Sequence, residues 1–327
     1  MAHCTAKGAG VGARSRRVTG KCRRALACSV GVAAAAAAGL AFAQLGRVPG
    51  ARHELTVGGV RRSYWLVAPS GGGAPKPVVL LFHGGLGSGR RVARYTRFAE
   101  LATREGFVLA CPDGIGGHWN DGRGAVVGGK PPSTDDVAFA SALIDELVRT
   151  RGADPKRVCA AGISNGAMLV YRLGGELAPK LAAIATVSGA IPERIAARYR
   201  PAAPVPLIAF NGTADPLVPF AGGTVAFRGG RVLSADESVL RWVRKDGCPD
   251  APVETYLPHR YAADPTRVKR RTWRPGPGGA GVVQYRIEGG GHPWPDGRPI
   301  RRGTGLVTGD VDATVAIWQF FRGRHRP

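Results

Sequence analysis

The chain has 327 residues, enough for one large α/β domain or two small ones, and 44% of them are hydrophobic, ample for a core. A formal charge of +23 raises nucleic acid as a partner, but no zinc-ligand spacing, basic region with heptads or aromatic-rich RNA motif accompanies it. The arginines are scattered, as on a solvated surface, and neither a disulfide framework nor a metal-ligand cluster is visible, so no nucleic acid, metal or cofactor is expected.

Residues 1–43 read as a signal peptide. Seven Lys/Arg and no acid lead into the apolar run "ALACSVGVAAAAAAGLAFA", which ends in Ala41-Phe42-Ala43. That is an A-x-A cleavage pattern, and it predicts a mature start at Gln44. Cleavage leaves +16 on residues 44–327, from 39 basic and 23 acidic side chains. The run is nearly long enough to span a bilayer, but Ala and Gly are weak membrane formers. A secreted protein, extracellular or periplasmic, without stable membrane association is expected. Ser15-Arg16-Arg17 matches a twin-arginine signal only in part, because the hydrophobic residues after the pair are missing.

From residue 52 the pattern is three strands, then alternating helices and strands. "RSYWLVAP" (62–69) reads as a strand after a Gly58-Gly59 turn. "PVVLLFHGG" (77–85) is a continuous apolar run, as a buried parallel strand should be. "RRVARYTRFAELATREG" (90–106) predicts one helix, stopped by Gly106. "FVLACPDG" (107–114) is strand then turn. "DDVAFASALIDELVRTRG" (135–152) predicts a helix with Thr134 or Asp135 as cap. "RVCAAGIS" (157–164) is a strand, and "NGAMLVYRLGGEL" (165–177) a helix. "LAAIATVSG" (181–189) and "VPLIAFNG" (205–212) are further strands. "SADESVLRWVRKDG" (234–247) is a helix capped by Ser234 or Asp236, "VVQYRIEGGG" (282–291) the last strand, and "DVDATVAIWQFFRG" (310–323) the closing helix. The fold class is α/β, a mostly parallel central sheet flanked by helices, in a single domain over 44–327. Only "RGRHRP" follows the closing helix, so no second domain that would adsorb to a solid polymer is expected.

Gly162-Ile163-Ser164-Asn165-Gly166 is a G-x-S-x-G pentapeptide. In a chain with 49 glycines the pentapeptide alone means little. Its context gives it weight, because it follows a strand and opens a helix. A strand–Ser–helix turn is tight enough to force the serine to positive φ, and the two glycines remove side chains where strand and helix nearly touch. Ser164 is therefore a candidate nucleophile. A serine hydroxyl needs a base, and the base needs an orienting partner. Asp215 follows the strand ending "FNG", and His292 follows the last strand, so all three sit at carboxyl ends of strands, where such sheets carry their sites. His3, His53, His83, His118, His259 and His325 are weaker candidates by position, as are Asp246, Asp250 and Asp264 among the acids. Backbone donors for a developing oxyanion are expected from Asn165 and Gly85, the latter in the glycine loop 83–87. That loop lacks the G-K-[ST] ending of a phosphate cradle. Trp119, Asn120 and Trp294 flank the site in sequence; they would line an acyl pocket or pack the loops down. Asp135 and Asp136 resemble an acid pair but are better explained by helix capping. Cys111 and Cys159 fall in apolar runs as small buried hydrophobes.

Taken together, "LLFHGG", "CPDG", "HWNDGR", "DDVAFASALIDEL", "RVCAAGISNGAMLVYRL", "AAIATVSG", "NGTADPLVPFAGG", "RWVRKDGC" and "GGGHPWP" resemble the secreted esterase family of polyhydroxybutyrate depolymerases and related feruloyl and acetylxylan esterases, over about residues 61–321. The resemblance implies the α/β-hydrolase fold and a Ser164, Asp215, His292 triad with an oxyanion loop at Gly85. Some relatives carry a pairing cysteine after Trp119-Asn120; here "DGRGAVVGG" has none, which leaves Cys248 without an obvious partner. The implied activity is a serine carboxylic-ester hydrolase acting through an acyl-enzyme on soluble hydroxyalkanoate or small acyl and aryl esters. Feruloyl or acetylxylan esterase action on plant polysaccharide, or a serine peptidase or acyltransferase on the same fold, are the alternatives, and a non-enzymatic surface-binding protein is the reading from another class. Oligomeric state leaves no mark in the sequence.

Overall fold

The computed structural model describes residues 48–69, 74–125, 133–197, 202–227, 229–276, 278–296 and 303–326. The expected signal peptide and its cleavage site lie outside the described residues.

Runs that are apolar on both faces form the centre of the sheet. Strands β3 (Lys76–Phe82), β4 (Val108–Pro112), β5 (Ala153–Ile163), β6 (Ala183–Val187), β7 (Leu207–Gly212) and β12 (Val282–Glu288) pair in parallel. Leu80, Leu81 and Phe82 of β3 are fully buried, each stabilising the fold by about 1.5–3 kcal/mol on burial. Antiparallel strands extend both sides. β1 (Ala51–Val57) and β2 (Val60–Val67) join through β4, and β11 (Arg267–Trp273) and β10 (Val253–Tyr256) join through β12. The order is β1-β2-β4-β3-β5-β6-β7-β12-β11-β10. A short hairpin, β8 (Gly223–Thr224) with β9 (Arg231–Val232), stands apart from the sheet.

Each face of the sheet is closed by helices. On one face lie α3 (Asp136–Arg151), α4 (Asn165–Glu176) and α6 (Ala235–Lys245), which bury Phe139, Leu143, Leu169, Val239 and Trp242. On the other lie α1 (Gly89–Tyr95), α2 (Phe98–Glu105) and the closing helix α7 (Ala313–Phe321), burying Val92, Phe98, Leu101, Ile317 and Phe321. A one-turn helix, α5 (Glu193–Ala196), completes the set among the described residues.

Three differences from the sequence reading have local causes. The helix expected over 90–106 is two helices. Thr96 turns its hydroxyl back onto the Val92 carbonyl at 2.7 Å, and Arg97 takes φ +61 while its guanidinium reaches Asp312 and the Asp296 carbonyl. Asp135 caps α3 by accepting the Ala138 N–H at 2.9 Å, but Asp136 is no cap; it is fully buried and paired with Arg62 at 2.7 Å. Strands β10 and β11 were not expected. Ser234 caps α6 through the Glu237 N–H.

Candidate active site

β5 delivers Ser164 to its carboxyl end, at the entry to α4. Ser164 sits at φ +58, ψ −123, the sparsely populated conformation that the tight turn demands. A Cβ at position 162 would lie 2.5 Å from the Gly166 carbonyl oxygen. One at 166 would lie 2.4 Å from the Phe82 oxygen and 2.5 Å from that of His83. Only glycine lets the backbones of β3, β5 and α4 approach so closely.

Asp215 follows β7. Its Oδ1 accepts the N–H groups of Leu217 at 2.8 Å and Val218 at 3.0 Å, which fixes the carboxylate. Its Oδ2 lies 2.8 Å from Nδ1 of His292, in the loop after β12. Both side chains are largely buried, at 2% and 10% exposure. The loop bearing His292 is held by backbone bonds from Gly291 to Leu306 and from His292 to Thr304. His292 and Ser164 line one cavity of about 770 Å³. An imidazole held at Nδ1 by a buried carboxylate, in the same cavity as a serine at strained φ, is a set of groups suited to proton transfer to and from a serine hydroxyl.

The same cavity contains Gly84, Gly85 and Asn165. In the glycine loop, Leu86 donates to the Gly117 carbonyl and Gly87 to that of Gly84, so these two N–H groups are committed. A side chain at 85 would meet Cε1 of His118 at 2.9 Å. The Asn165 side chain points away from the cavity's chemistry and ties its walls together. Its Oδ1 accepts the Trp119 N–H at 2.8 Å, and its Nδ2 donates to Asp121 at 2.7 Å and the Trp119 carbonyl at 3.1 Å. His83 holds the loop from the other side. Its Nε2 accepts the Gly114 N–H at 2.9 Å, so Nδ1 carries the proton and donates to the Gly84 carbonyl at 2.7 Å. Burial pushes the His83 pKa down, consistent with a neutral ring.

The three expected substrate contacts fall elsewhere. Trp119 is buried against Phe82 and His83 and donates to the His83 carbonyl at 2.8 Å. Asn120 bonds Asp136 and the Thr134 carbonyl, with its own carbonyl taken by Arg172. Trp294 is buried against Phe98 and donates to Thr314. None of them lines the cavity; they pack the loops down. Its walls come instead from Leu86, Val92, Leu217, Val218, Val225 and Phe227, with Arg91, Tyr95, His118 and Arg123 as the further polar members. Sequence reading singled out none of these as substrate contacts: Leu86 lies in the glycine loop, Arg91, Val92 and Tyr95 on α1, and the others on loops whose residues carry no readable specificity code. The family-like "HWNDGR" stretch was the one signal for His118 and Arg123.

Cys111, Cys159 and Cys248 are free and buried, Cys248 lying 3.3 Å from the Ala280 carbonyl. Among the described residues there is no cluster of three or more His, Cys, Asp or Glu that could hold a metal, and no helix is long and apolar enough to cross a membrane.

No protein-family model matches the chain. NocK of Nocardia uniformis subsp. tsuyamanensis, which carries the provisional name of esterase, is 33% identical over 265 residues, covering 75% of this chain and 74% of NocK. Feruloyl esterase B of Piromyces equi is 29% identical over 241 residues, covering 70% of this chain and 42% of that protein. Among solved structures, an acetyl xylan esterase from Aspergillus awamori superposes with a TM-score of 0.54 at 16% identity, over 75% of this chain and 94% of that one. Its likeness establishes the α/β-hydrolase fold.

Proposed function

The chain belongs to the esterase family that includes NocK, and from that membership we propose that it is an exported serine carboxylic-ester hydrolase in which Ser164 attacks, His292 transfers protons and Asp215 orients the imidazole. The observation that carries this reading is the His292–Asp215 contact of 2.8 Å in the cavity that holds the strained Ser164.

The geometry suits two-step acyl transfer. His292 keeps its Nδ1 proton on Asp215, which leaves Nε2 free to take the Ser164 hydroxyl proton as Oγ attacks the ester carbonyl carbon. The charge that develops on the carbonyl oxygen is met by the N–H groups of Asn165, at the amino end of α4, and Gly85, in the glycine loop. His292 then returns the proton to the leaving alcohol. Water, deprotonated by the same nitrogen, releases the acid and restores the serine.

The apolar walls suit an apolar acyl or aryl group, in a space of about 770 Å³. Short acyl and aryl esters of the feruloyl and acetylxylan type are the leading substrates, and soluble hydroxyalkanoate oligomers the second class. A panel of p-nitrophenyl acyl esters, methyl ferulate, acetylated xylan and hydroxybutyrate dimer and trimer tests this. A fluorophosphonate that labels Ser164 supports the reading. Failure to label, with no turnover of any ester, would leave a non-enzymatic surface protein instead.

A further inference from the structure

Among the described residues, the cavity wall carries two guanidinium groups, Arg91 and Arg123, and no carboxylate. Arg91 is exposed. Arg123 is unusual for a buried cation: its side chain is 4% exposed. A guanidinium has five N–H donors. Here Nη1 lies 3.2 Å from Asp121 Oδ2 and 2.6 Å from the Met168 sulfur, a weak acceptor, and Nε has no hydrogen-bond partner. Asp121 is itself divided, because it also accepts from Asn165 at 2.7 Å and from the Arg123 backbone N–H at 3.0 Å. Buried charge held by so few acceptors is costly unless another acceptor arrives. Gly230 leaves space for the arm, since a side chain there would stand 2.8 Å from Arg123 Cγ.

We infer that Arg123, aided by Arg91, is a specificity-determining residue that pairs with a carboxylate carried by the ester substrate. The inference rests on the esterase reading above. Asp121 offsets one of the two guanidiniums, so the wall keeps one positive charge, which a monoanion matches. A neutral acceptor would satisfy Nε but leave that charge unanswered. The alternative is that Arg123 only steadies Asp121, and through it Asn165.

The test uses two pairs of near-isosteric esters. Mono-p-nitrophenyl glutarate against p-nitrophenyl pentanoate puts the carboxylate on the acyl half, and 4-acetoxybenzoate against 4-acetoxytoluene puts it on the alcohol half. In the wild type, kcat/KM for one charged ester or both should exceed its neutral partner by about tenfold or more, as a charge-assisted bidentate contact allows. Arg123→Met should remove that preference. Because this variant strands Asp121, a second measurement avoids it: glutarate and 4-hydroxybenzoate should bind the Ser164→Ala protein in calorimetry, more weakly as salt is raised, and the corresponding amides should not. Equal rates for charged and neutral esters with no binding of either acid would overturn the inference. So would an Arg123→Met protein that melts as the wild type does and keeps the preference for the charged ester. If no ester is turned over but glutarate still binds, the esterase reading fails and the carboxylate site stands.

Discussion

Ser164 holds a backbone conformation that few non-glycine residues adopt, between two glycines where neighbouring backbones leave no room for a Cβ. The strain stays whatever side chain follows Cβ, so Ser164→Ala should fold with an unchanged melting temperature. Its kcat on p-nitrophenyl acetate should fall by about 10⁴ or more. A variant that keeps a tenth of wild-type turnover would remove Ser164 from the reaction. Asp215→Asn should lose about 10⁴ in kcat as well, because an amide can donate to Nδ1 and favour the wrong tautomer. Retained activity would assign the orienting role to another acid. His83 gives a pH signature. Its folded pKa lies below the ordinary 6.5 because it is buried. The unfolded chain therefore takes up the proton first as pH falls, so the contribution of neutral His83 is full above 6.5 and is lost on acidification toward its folded pKa. Between pH 7.5 and 5.5, His83→Gln keeps an acceptor for the Gly114 N–H but cannot titrate. It should show a smaller drop in melting temperature than the wild type, and an equal drop would clear His83 of the effect.

At the scale of elements, the turn from β5 into α4 is where three backbones meet. Gly166→Ala would force a methyl against two carbonyl oxygens of β3's end, at 2.4 and 2.5 Å. Overpacking there should cost about 1–3 kcal/mol or more in urea unfolding and displace the glycine loop. A fully stable, fully active variant would mean that the strands yield. This junction was legible in the sequence because its requirements are local: glycine, serine and glycine at fixed spacing between a strand and a helix. Asp215 and His292 were legible for a related reason, since each directly follows an apolar strand. The network behind them was not. Asp121 and Arg123 meet Asn165 and Met168 across 44 and 45 residues, and nothing local marks such partners. Trp119 and Trp294 misled in the opposite direction: nearness in sequence to the site says nothing about which way a ring faces. β11 escaped notice because "RVKRRTW" reads as a charged loop. It buries Val268 and Trp273, and Arg271 is mostly covered too, over the Trp273 ring and paired with Glu254 and Asp236. The pair Arg62–Asp136 was hidden in the same way, as two charged residues that ordinarily lie at the surface.

For the whole molecule, the division of labour along the chain makes a prediction. The sheet begins at Ala51, and the residues that line the cavity run from His83 to His292. We propose that the basic-then-apolar pattern of residues 1–43, which ends in Ala41-Phe42-Ala43, directs export. The chain beginning at Gln44 should then be the mature enzyme. Expressed without residues 1–43, it should match the melting temperature of the full chain and its kcat/KM on p-nitrophenyl acetate to within about twofold, as removal of a signal peptide predicts. Protein collected after export should begin at Gln44 by mass analysis. A truncated chain that melts earlier or loses most of its turnover would show that the leader contributes to the folded enzyme, and exported protein that starts upstream of Ala33 would place the cleavage elsewhere.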